Sequence, residues 1–168
     1  MPYLVGSVFV LILVGLFTGL LGFATDYWIR FEYEDVYGNR VEEFRGLWRS
    51  CANSVDNLSV EIYSYCFTFE TQSWFEATQA FETLGFIAAI VALVLIVLYV
   101  FVPQTSGKKI VFILAMLACF AAAGCIILGI IIYGSKMDNL SWSFALCCIA
   151  GIIFGISGIL LVVDMLKR

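Results

Sequence analysis

The chain has no histidine, so it lacks the side chain most used for acid–base chemistry near neutral pH and for metal ligation. It has no nucleophile elbow, no phosphate-cradling glycine loop, no CxxC pair, and no pair of carboxylates set in an arguable cleft. Enzymatic function is therefore not expected, nor is a cofactor, a metal site or a nucleic-acid partner. Charge is scarce as well, at 13% of residues, against 62% apolar residues and a mean hydropathy of +1.01. That leaves too little polar surface to cover a soluble globule of 168 residues, and the composition is that of a membrane protein.

What the chain does have is four charge-free apolar runs, 3–24, 83–102, 110–133 and 142–163. Each matches the roughly 20 helical residues that cross a hydrocarbon core about 30 Å thick. In lipid a helix satisfies its own backbone hydrogen bonds, so all four read as spanning helices of a single domain over 1–168. Gly22 and Ala24 are placed like a signal-peptidase site, but the first run is longer than a signal core and no basic residue precedes it. It is expected to be a retained helix.

Four spans put both termini on one side. That side carries Lys108-Lys109 and Lys167-Arg168, close to helix ends, while Arg30, Arg40, Arg45, Arg49 and Lys136 lie on the other. The bare count of basic residues does not decide orientation. The chemistry of the long loop does, since it holds two cysteines and an Asn-Leu-Ser sequon. Cytoplasmic termini and a plasma-membrane location follow as expectations.

The loop over 27–76 alternates with a period of two. Ile29, Phe31 and Tyr33 interleave with Arg30, Glu32 and Glu34; Gly38-Asn39 supplies a turn; extended runs follow over 40–49 and 60–67. The expected fold is an all-α transmembrane four-helix bundle carrying a small extracellular antiparallel β-sheet of three or four strands. Such a sheet has little core, and a Cys51–Cys66 disulfide would close a loop of about 16 residues, worth about 3 kcal/mol in an oxidising compartment. Cys119, Cys125, Cys147 and Cys148 lie within the spans and read as packing residues.

Trp28, then Gly46-Leu47-Trp48, then Cys51 and Cys66, in the first outer loop of a four-span chain, resemble the superfamily of claudins, peripheral myelin protein, epithelial membrane proteins and the lens fibre intrinsic membrane protein. Ala24-Thr25-Asp26-Tyr27-Trp28, Ala77-Thr78-Gln79-Ala80-Phe81 and Ser141-Trp142-Ser143-Phe144 are similar to its short members. The resemblance implies that the motif holds the loop against the bundle. Three departures narrow it. Gln79 stands where many members carry an arginine, which puts an anchoring contact in doubt. The chain ends Met165-Leu166-Lys167-Arg168 without a scaffold-binding tail motif, and the last loop, 134–141, is short.

The first loop carries four basic and nine acidic residues, net −5. Tyr33, Tyr37, Asp56, Glu61, Tyr63, Tyr65 and Phe67 are candidate contact residues, because aromatics give contact area at low entropy cost while charge selects partners. The bland alternative is rings that pack the sheet on the helix ends beneath a solvated charged face. Leu47 and Trp48 have two readings as well, as core beside the disulfide or as an anchor at the lipid headgroups. Asn57 is a glycosylation candidate, whereas Asn139 lies too near Trp142 and the membrane surface. Gly15 with Gly19, and Gly151 with Gly155, are small-residue pairs for packing within the bundle or between copies. Asp26 and Glu82 are expected near the outer surface and Asp164 near the inner one, none deep enough for an ion path.

The leading functional expectation is a structural protein of cell junctions and adhesion. It would contact a neighbouring cell or membrane layer through its first outer loop and assemble laterally with itself or related tetraspan proteins among membrane lipids. The alternatives are an auxiliary subunit of a channel or receptor, and a claudin-type paracellular barrier in which Asp56 and Glu61 favour cations. The missing tail and short last loop weigh against the barrier.

Overall fold

A computed structural model describes residues 2–36, 38–55, 62–68, 72–104 and 106–167. Four helices, α1 (Pro2–Ala24), α2 (Ser73–Phe101), α3 (Lys109–Gly134) and α4 (Trp142–Leu166), carry a sheet inserted between the first two. All four are long and apolar enough to cross a membrane.

Side-chain size explains how the helices meet. Ala89, Ala92, Ala115, Ala122, Ala123 and Ala150 are buried, while Phe17, Leu20, Ile87, Leu114, Leu117, Ile152 and Ile159 point outward. With lipid as solvent, burying large apolar side chains gains little, so small residues face the neighbours and backbones approach closely. The glycine pairs follow this logic. A Cβ on Gly15 would lie 3.0 Å from Ile153 Cγ2, one on Gly19 3.4 Å from Ala150 Cβ, and one on Gly151 3.1 Å from Ile126 Cγ2. Gly155 is looser, 3.9 Å from Ala123 Cβ. These contacts join α1 to α4 and α3 to α4 inside the bundle, which supports the intramolecular packing role for Gly15, Gly19, Gly151 and Gly155.

The 29 residues of α2 give a helix about 43 Å long, more than a core of about 30 Å needs. Its first turns, expected to be loop up to residue 76, are helical from Ser73 and meet the sheet. Glu82, expected near the outer surface, lies in the first half of α2; there it is buried between helices, only 3% exposed, and packs on Gly129 of α3, where an added Cβ would lie 2.7 Å from its Oε1.

The sheet comprises β1 (Ile29–Glu34), β2 (Arg40–Arg45), β3 (Ser50–Val55) and β4 (Ile62–Phe67), antiparallel throughout and in the order β1-β2-β3-β4. Asp35 closes the first hairpin. Its side chain accepts from the Asn39 backbone and amide N–H groups, and Gly38 takes φ +80°. The extended run expected over 40–49 is instead cut short: β2 ends at Arg45, Gly46-Leu47-Trp48-Arg49 turns the chain, and β3, beyond that run, begins at Ser50. The Gly46 N–H donates to the Arg49 carbonyl at 2.9 Å, closing that turn. In register, Cys51 faces Cys66 directly, and the two form the disulfide.

Candidate functional site: an aromatic sheet face pinned to the helix ends

The pin begins at Trp28, which is fully buried. Its Nε1–H donates to the Gly22 carbonyl at 2.7 Å, and its ring meets Tyr133 and Phe144 edge-on at 4.8 and 5.6 Å. Its backbone N–H reaches the Arg45 carbonyl and its carbonyl accepts from Ser141. One residue thus joins the end of α1, strand β2 and the start of α4.

Each residue of the β2–β3 turn makes a different attachment. Gly46 lies against the backbone of Thr25 and Asp26. Leu47 is fully buried among Trp28, Ile29, Phe75, Tyr133 and Cys147. Trp48 is 43% exposed, donates from Nε1 to the Phe23 carbonyl at 3.1 Å, and sets its ring edge on Phe23. Arg49 pairs with Asp26 at 2.8 Å. The two readings of Leu47 and Trp48 therefore divide between them: the leucine is core, and the tryptophan sits at the rim. Tyr27 and Trp142 stack at 5.4 Å on the same rim, half exposed, the position that amphipathic rings favour at a membrane boundary.

The contact doubted at Gln79 exists. Its Nε2 donates to the Leu47 carbonyl at 2.5 Å, so an amide makes the attachment from α2 to the turn. Sequence reasoning also missed Asp26 and Arg49 as partners, and Val36, 93% exposed beside the Gly38 turn; the Gly38-Asn39 signal could have placed Val36 at a hairpin tip.

Register assigns the strand residues to two faces. Tyr33, Val41, Ser54 and Tyr63 align across the strands, as do Phe31, Glu43, Ala52 and Tyr65, and Ile29, Arg45, Ser50 and Phe67. The disulfide lies on the other face. One face therefore carries Phe31 and Tyr33 on β1 and Tyr63, Tyr65 and Phe67 on β4, with Val41, Glu43 and Arg45 of β2 and the short side chains of β3 between them. Tyr33 is 47% exposed, Tyr65 52% and Phe67 39%, and the Tyr65 and Phe67 rings stack at 6.0 Å. Slight loss of solvent, then Glu43, Tyr65 and Asp35, hold the Tyr33 phenol above its usual range. It stays a neutral hydrogen-bond donor at physiological pH.

Several sheet charges are paired with each other: Arg30 with Glu32 and Glu42, and Arg45 with Glu43. The Arg30 pairs are exposed enough to contribute little stability, whereas the Arg45–Glu43 pair is largely shielded from solvent. Tyr37, Asp56, Asn57 and Glu61 lie outside the described residues; Tyr63 is within β4, but its side chain is not described. Among the described residues no group of three acidic or sulfur side chains is arranged to hold a metal.

A bundle of four long apolar helices with a disulfide-closed sheet pinned to one end defines a tetraspan membrane protein. A model of the PMP-22/EMP/MP20/Claudin family matches residues 1–161, and the chain belongs to that family. No individual curated protein matches it.

Proposed function

We propose that the protein joins membranes. In this reading both termini lie in the cytoplasm, the sheet stands outside the plasma membrane, and its aromatic face docks on a second tetraspan molecule, in the neighbouring cell or alongside. The observation that carries the reading is the set Tyr33, Tyr65 and Phe67, exposed on one face of a sheet fixed to the bundle through Trp28, Leu47 and Gln79. Rigid aromatics lose little entropy on docking, and a pinned sheet loses little more. Tyr37, Asp56, Glu61 and Tyr63 belong to the same surface in this proposal, and Asn57 is its glycosylation site.

The test is a mixing experiment. Fluorescent protein is expressed in cells that do not normally adhere, and expressing and unlabelled cells are combined. The expected result is accumulation only where two expressing cells meet, lost in a Tyr65→Ala/Phe67→Ala variant that still reaches the surface. Even distribution of the wild type would sink homotypic contact and leave an auxiliary role beside a channel or receptor, to be pursued by purifying native complexes.

A further inference from the structure

The end of the bundle away from the sheet carries a recess of about 260 Å³ lined by Tyr99, Gly107, Lys109, Phe112, Ile113 and Met165. The contact reading leaves it unexplained. Tyr99 and Phe112 form its back wall, 7% and 3% exposed, with ring centroids 5.3 Å apart. Ile113 and Met165, each 39% exposed, line its membrane side. Gly107 turns the chain at φ +77°, and a Cβ there would meet nothing within 4 Å, so the rim is open.

Lys109 closes the polar side, with Lys108 next to it at the N-cap of α3. Both are exposed, and among the described residues neither makes an ion pair. The sequence adds Lys167 and Arg168 at this end. Its acidic residue, Asp164, is 3% exposed and faces inward. Among the described residues a positive rim of Lys108 and Lys109 without ion pairs thus stands over an apolar wall, at the end of the apolar spans.

We propose that this recess binds an anionic phospholipid, with its phosphate on Lys109 and Lys108 and an acyl chain along Ile113 and Met165. The volume, about nine times the share of one liquid water, accommodates a phosphoglycerol group. A soluble anion would make no use of the apolar wall, whereas a lipid matches both halves at that depth. The proposal depends neither on the contact function nor on which side of the membrane this end faces.

The test uses the purified full chain in mixed micelles of phosphatidylcholine and phosphatidylglycerol, with retained lipid scored by native mass spectrometry. Phosphatidylglycerol is expected to be retained in preference to phosphatidylcholine. Lys109→Gln should cost about fivefold in affinity, the worth of one basic residue at an anionic surface, and Lys109→Arg should retain binding. Ile113→Trp keeps every charge but fills the recess, and should also lose the lipid; Lys136→Gln, at the opposite end, should not. Thermal unfolding of each variant separates lost binding from lost fold. Equal retention by wild type, Lys109→Gln and Ile113→Trp would overturn the site. Loss in Lys109→Gln without loss in Ile113→Trp would reduce it to diffuse surface attraction. Competition by water-soluble glycerol 3-phosphate as effective as by the lipid would reassign it to a soluble anion.

Discussion

Replacing Gly46 by alanine strains the anchor where it can least give. A Cβ would lie 2.6 Å from Asp26 Cα and 2.8 Å from the Thr25 carbonyl oxygen. Both are backbone atoms, so neither can rotate away. Two responses compete. If the turn stays seated, the added methyl overpacks the contact at about 1–3 kcal/mol. If the turn lifts, Leu47 leaves full burial, at about 2 kcal/mol. The bonds from Gln79 to the Leu47 carbonyl and from Trp48 to the Phe23 carbonyl go with it, at about 1 kcal/mol each. Lifting, at about 4 kcal/mol in all, is the costlier route, so the turn should stay and the loss should be about 1–3 kcal/mol. Thermal unfolding of purified protein in detergent, followed by tryptophan fluorescence, measures it. Gly38→Ala is the control, because its added Cβ meets nothing and its cost is backbone strain alone, about 1–2 kcal/mol. A Gly46→Ala protein within about 0.5 kcal/mol of wild type, the range of ordinary surface substitutions, would refute the close contact.

Serine at Cys51 or Cys66 should lose about 3 kcal/mol from a sheet with little core of its own and hold the protein in the endoplasmic reticulum. Surface biotinylation checks this, and normal delivery of both variants would count against it. Gln79→Ala leaves the Leu47 carbonyl without its donor and should cost about 1–3 kcal/mol; Gln79→Arg keeps a donor and should recover most of that in the same unfolding assay. Glu82 buries a carboxyl whose Oε1 has no hydrogen-bond partner among the described residues. Glu82→Met, similar in shape and free of the buried polar group, should leave stability unchanged or raise it by about 1–3 kcal/mol, and a clear loss would show that the carboxyl has a partner.

The spans were legible because the lipid constraint is written into local composition: a charge-free run of sufficient length has few other destinations. The motif was legible for a different reason, since Trp28, Gly46-Leu47-Trp48 and the cysteines are unusual residue types at fixed separation. Strand β3 was not legible. Ser50, Ala52, Asn53 and Ser54 have little strand character, and their extended conformation comes from pairing with β2 on one side and β4 on the other. The burial of Glu82 was not legible, because hydropathy stops a span at the first charge. What admits the carboxyl is the bare surface of Gly129, on another helix and far along the chain. Gln79 shows the same limit: its departure from the arginine of many relatives read as a lost contact, but the attachment needs only an N–H donor within reach of the Leu47 carbonyl.

The two edges of the sheet differ, and that difference bears on lateral assembly. The β1 edge is covered by the last loop, where the Arg30 N–H donates to the Asn139 carbonyl at 3.3 Å and Ile29 bridges to Leu140. Among the described residues strand β4 ends the sheet with no strand beyond it, and Ser64, Tyr65, Cys66 and Phe67 are all exposed. Exposed edges are usually guarded by lysine, proline or a bulge, because an unpaired strand is a template for another chain. Strand β4 has neither lysine nor proline. If copies associate side by side through this edge, a charge there should oppose them while leaving the aromatic face intact. Ser64→Lys supplies that charge, since Ser64 aligns with Asn53 on the face opposite Tyr65. The expected result is normal surface delivery and normal accumulation between expressing cells, with fewer cross-linked oligomers within one membrane. Unchanged oligomers with lost accumulation would reverse the assignment, giving the edge to contact between cells and the aromatic face to assembly within one.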